Sequence, residues 1–86
     1  MARIIDGEQM NLIGDNVRRL RKQRRLSQQT LSTKLELMGV YVCRGSISRI
    51  EDRSRTVTDI ELYALAKALN VPITALLQEA SSREAE

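Results

Sequence analysis

Apolar residues recur along this chain at the three- and four-residue spacing of helix faces, in five short clusters separated by polar turns. The first cluster is Ile13, Val17 and Leu20, with Asn11 ahead of it as a candidate N-cap. The second is Leu31 and Leu35. Ser27 is the expected N-cap there, and Leu26 is placed to pack on Leu31 as a hydrophobic staple. That helix should run to Met38 and stop at Gly39, which tolerates a left-handed backbone. Residues 40–43 then cross a turn to a third helix over residues 44–52, which buries Ile47 and Ile50 and exposes Arg44, Ser46 and Arg49.

The fourth helix has the clearest start. Thr58-Asp59-Ile60-Glu61 fits a capping box, and Val57 with Leu62 supplies a second staple. Leu62, Leu65, Ala66 and Leu69 form its apolar stripe, which ends near Asn70. Pro72 then breaks the chain and opens a last short helix with Ile73, Leu76 and Leu77. Residues 1–10 show no period and are expected to be a loosely ordered arm. Residues 79–86, EASSREAE, are expected to be a fraying polar tail. The pattern predicts one all-α domain over residues 11–78, a compact five-helix unit without strands.

Composition changes this picture in two places. The chain has no Trp, no Phe and two Tyr, so the core must be aliphatic. With 86 residues there is one core and one domain. The single cysteine, Cys43, cannot form an internal disulfide, and without any His a metal site is not expected. No apolar run approaches the roughly 20 residues that span a bilayer. The start of the chain lacks the long apolar segment of a secretory signal. A reducing cytoplasm is the expected setting. No nucleophile motif or glycine-rich phosphate loop is present, so neither an enzyme nor a cofactor or small-molecule ligand is expected.

Charge adds more. Residues 15–55 hold eleven Arg or Lys against four Asp or Glu, while the rest of the chain holds three against seven. Such a split suggests one basic face for a polyanion, against the plainer reading of an ordinary solvated surface. The first helix is crowded with Arg18, Arg19, Arg21, Lys22, Arg24 and Arg25. That crowding costs stability unless acids or phosphates neutralise it. Residues 26–51 therefore read as two helices joined by a compact turn, the second opening with small and basic residues suited to a DNA groove.

The runs IGDNVRRLRKQRRLSQQTL, SISRIED and VTDIELYALAKALNVPITALL resemble the XRE, or phage-repressor-like (lambda-type), helix-turn-helix family, over residues 12 to 78. The resemblance implies that five-helix fold, and double-stranded DNA binding as a homodimer to regulate transcription. Position by position, it implies that Arg44, Gly45, Ser46 and Arg49 read bases in the major groove. Gln28 would lie against a phosphate, where unpaired N–H groups at a helix start already favour an anion. Arg53 and Arg55 would touch the sugar-phosphate backbone. Arg21 and Glu51 would form a buried ion pair, and Ile73, Leu76 and Leu77 a dimer surface.

Three positions depart from the family pattern. ELMGVYVC replaces a tight turn, as in a longer-turned subgroup. Arg25 stands where Gly usually ends the first helix, which implies a strained or different cap. Cys43 stands where Ser normally caps the recognition helix. It could be a redox-sensitive thiol or a small residue that fits. Tyr41, in the long turn, could meet the DNA backbone or cover the core.

Two functions compete. One is a sequence-specific dimeric regulator on a palindromic operator, a repressor because occupancy suffices and 86 residues leave no room for a ligand-sensing domain. The other is an antitoxin-like interaction module on the same fold.

Overall fold

The computed structural model describes residues 8–78, and among them the chain forms five helices and no strand. These are α1 (Gly14–Gln23), α2 (Gln28–Leu37), α3 (Arg44–Glu51), α4 (Asp59–Leu69) and α5 (Ile73–Leu76). Residues 1–7 of the expected arm, and the expected tail 79–86, lie outside the described residues. The last part of the arm is fastened, since the Met10 N–H donates to the Arg53 carbonyl at 3.0 Å.

The core is aliphatic throughout. Ile13, Val17 and Leu20 of the first cluster meet Leu31, Leu35, Ile47, Ile50, Leu65 and Leu69 in one buried group. α3 packs on both α1 and α2, while α4 lies against α2, α1 and α5. Leu76, expected on a dimer surface, is 0% exposed and completes this core. A helix of one turn has no room for separate faces, and its middle apolar residue turned inward while Ile73 and Leu77 stayed accessible.

The starts of α2 and α4 have local side-chain caps. Ser27 Oγ accepts from Thr30 N–H at 2.9 Å, as an N-cap should. The capping box at α4 is complete. Thr58 Oγ1 accepts from Glu61 N–H, and Glu61 Oε1 accepts from Thr58 N–H, both at 3.1 Å. At α1 the expected cap acts from further away. The helix begins at Gly14 with Ile13 in the cap position, and Asn11 Oδ1 accepts from both Ile13 and Gly14 N–H groups at 3.0 and 2.8 Å. Asn11 Nδ2 also donates to the Ile50 and Arg55 carbonyls, so one amide starts α1 and ties it to the end of α3. Pro72 occupies the cap position of α5 rather than its first turn.

α1 to α4 each end beside a residue with a left-handed backbone. α2 stops at Leu37, one residue early. Gly39 at φ +85° then lets the Gly39 and Val40 N–H groups reach the Glu36 and Leu35 carbonyls. Arg25 adopts φ +57° where a Gly would be unstrained, and Leu26 N–H closes on the Arg21 carbonyl at 3.0 Å.

Two features had no counterpart in the sequence reading. Asn16 is buried, and its Nδ2 donates to the Leu76 and Gln78 carbonyls at 2.8 and 2.7 Å, clasping the end of α5 to α1. Gly14 sits where a Cβ would collide with the Ile50 carbonyl oxygen, so α1 and α3 approach at backbone distance.

Candidate nucleic-acid interface

α3 presents a basic outer face on a frame built from α1 and α2. Arg44, Gly45 and Arg49 are exposed and Ser46 is half-buried, while Ile47 and Ile50 anchor the opposite side. Arg49 Nη2 donates to Ser46 Oγ at 3.2 Å, which orients the guanidinium along the helix. A Cβ at Gly45 would meet only the Arg49 side-chain tip, at 3.8 Å. The fold therefore leaves open space there, into which another surface can approach.

Cys43 occupies the N-cap of α3 without making a side-chain cap hydrogen bond. Its thiol lies 3.5 Å from Ser46 Oγ. The Ser46 hydroxyl beside it holds the thiol below the ordinary range.

The frame is held by a buried carboxylate. Arg21 Nε and Nη2 donate to the two oxygens of Glu51 at 2.6 and 3.0 Å, and Arg21 Nη1 donates to the Leu26 carbonyl at 2.7 Å. Gln28, expected against a phosphate, donates from Nε2 to Glu51 Oε1 at 3.1 Å. Its side chain thus links the start of α2 to the end of α3. Beside it lie the first-turn N–H groups of α2, a helix end that favours an anion. These residues, with Arg18, Ser48 and Asp52, line a cleft between the three helices.

The loop after α3 divides its two arginines. Arg55, expected on the DNA backbone, gives Nη1 and Nη2 to the two Glu61 oxygens at 3.0 Å each. This pairing holds the Glu61 carboxyl below its usual range and braces the start of α4. Arg53 makes only a 3.4 Å contact with the half-exposed Asp15, a geometry that contributes little. Among the described residues Arg53 thus has the weaker pairing, although its side chain is as covered as that of Arg55.

Sequence reading missed the links from Gln28 to Glu51 and from Arg55 to Glu61, and the clasp at Asn16. A signal for the last existed: residue 16 falls between Ile13, Val17 and Leu20 on the buried stripe, where a lone amide must find partners.

A basic helix face held by two packed helices, with a loop arginine beside it, is the arrangement of a DNA-binding helix-turn-helix. The helix-turn-helix family model matches residues 17–76, and the chain belongs to that family, of the XRE type. It is a DNA-binding regulator. Among solved structures it is similar to the restriction-modification controller protein C.AhdI from Aeromonas hydrophila. The two are 30% identical with a TM-score of 0.65, over 74% of this chain and 86% of that one. It also shares the fold of the hypothetical transcription factor NHTF from Neisseria, at 22% identity and TM-score 0.72, over 99% of this chain and 93% of that one. No curated protein matches the chain. Among the described residues no helix is long and apolar enough to cross a membrane.

Proposed function

We propose that this regulator is a repressor that binds a palindromic operator as a homodimer. Arg44, Gly45, Ser46 and Arg49 read bases, while Arg53, the N–H groups at Gln28 and the outer edge of Arg55 hold phosphates. The observation that carries this reading is the outward face of α3, where two arginines flank a glycine with open space above it. Arginine paired with guanine O6 and N7 is the commonest specific base contact, and a position without a side chain lets the helix approach the groove floor. Repression requires only that the operator be occupied.

The dimer surface in this reading is smaller than the sequence suggested. With Leu76 inside the core, Ile73 and Leu77 remain, at 36% and 45% exposure, and neither is used by the protomer's own core. A two-fold pair of such domains would place two α3 helices about one DNA turn apart, roughly 34 Å.

Selection from a randomised duplex pool, followed by anisotropy titration of the selected and unselected DNA across a salt series, tests this reading. Wild type should favour a palindrome, and Arg49→Ala should lose about 1–3 kcal/mol of that preference. Weak, salt-driven binding that ignores sequence in both proteins would refute the assignment of α3 as the reading helix.

A further inference from the structure

The long connection between α2 and α3 contains a residue that the fold does not use. Tyr41 is 78% exposed, so it does not cover the core. Its neighbours explain its direction. Val42 is buried and its carbonyl accepts from Ser32 Oγ at 2.6 Å, while Val40 is half-buried with its N–H on the Leu35 carbonyl. Successive residues of an extended segment face opposite sides, and with Val42 fixed inward Tyr41 is held outward. Its backbone is pinned on both sides, so the ring is presented from a fixed base.

Position supplies the second half of the argument. Tyr41 lies two residues before Cys43, the N-cap of α3. An extended chain advances at most about 3.6 Å per residue, which keeps the Tyr41 backbone within roughly 7 Å of the start of that helix. A helix whose first turn enters a major groove has phosphates of the groove rim flanking that start. The exposed Arg44 and Arg49 draw the same polyanion toward this end of the molecule. Tyrosine hydroxyls are regular donors to phosphate oxygens.

Resting on the DNA-binding reading above, we propose that Tyr41 is a further DNA-contact residue, whose hydroxyl donates to a backbone phosphate beside the groove that receives α3. It positions the reading helix and carries no sequence preference of its own. Arg44 and Arg49 fix which bases are chosen; Tyr41 fixes how far along the rim the domain sits.

The test compares wild type, Tyr41→Phe and Tyr41→Ala on a selected duplex and a scrambled one, by anisotropy across a salt series. Loss of one hydrogen bond to a charged group should weaken Tyr41→Phe about tenfold on both duplexes. The ratio between the duplexes should hold. The salt dependence should not change, because a neutral donor releases no counterion. Thermal midpoint and self-association without DNA should match wild type.

Wild-type affinity in Tyr41→Phe overturns the proposal, even if Tyr41→Ala binds poorly. A loss confined to the selected duplex overturns it in favour of base reading, and altered self-association overturns it in favour of a protein contact. Should wild type itself bind no duplex, the DNA-binding reading fails and takes this proposal with it. Wild-type binding with an indifferent Tyr41→Phe sinks the proposal alone.

Discussion

Glu51 is a buried carboxylate that accepts from Arg21 Nε, Arg21 Nη2 and Gln28 Nε2, and each of these donors belongs to a different helix from its own. Removing the charge on one side leaves a guanidinium stranded, which typically costs about 3–5 kcal/mol. Glu51→Gln should therefore lower the thermal midpoint by more than 10 °C in a circular-dichroism melt. Replacing Arg21 and Glu51 together by apolar residues should recover most of that loss. Glu61 gives a pH signature. Arg55 holds its carboxyl low, so the contribution is present above the unfolded value of about 4.3 and is lost as pH falls through the lower folded value. Stability of Glu61→Gln should fall less steeply than wild type below about pH 4, which melts over a pH series would show. Cys43→Ser should supply the missing cap at α3 and raise the thermal midpoint by a few degrees. The weak cap was legible in the sequence, because Cys stands where Ser is usual. The engagement of Gln28 and Arg55 was not, because each partner lies on another element and side-chain direction is settled only by packing.

At the scale of helices, starts were legible wherever the cap is local. Ser27 and the Thr58–Glu61 box act within three residues of themselves and stand where expected. Asn11 acts across the fold, on the ends of α1 and α3 together, and its reach depends on where α3 comes to rest. The same dependence hid Leu76, since one apolar turn can present any of its residues to a neighbour. Gly14 belongs to this scale too. Its hydrogen faces the Ile50 carbonyl, and α1 cannot dock there with a methyl group in between. Gly14→Ala should cost about 1–3 kcal/mol in urea unfolding, without changing the helix propensity of α1 for the worse. A stability equal to wild type would mean that α1 and α3 can part without loss.

At the scale of the molecule, the five helices of the described residues followed from spacing and the aliphatic core from composition, whereas neither says whether two copies assemble. Ile73 and Leu77 lie at the edge of the core, and only a partner distinguishes an accessible leucine from an interface. Ile73→Asp combined with Leu77→Asp should leave the monomer's fold in place by far-UV circular dichroism and weaken self-association in sedimentation equilibrium. Preference for a palindrome over a single half-site should fall with it. A dimer unaffected by both charges would place the interface elsewhere. The composition of the core has an optical consequence. With no Trp or Phe, and with Tyr41 and Tyr63 both at the surface, no aromatic ring lies among the packed leucines and isoleucines. Ultraviolet emission from this protein is therefore insensitive to how well its interior is packed, and it reports instead on whatever approaches those two rings from outside.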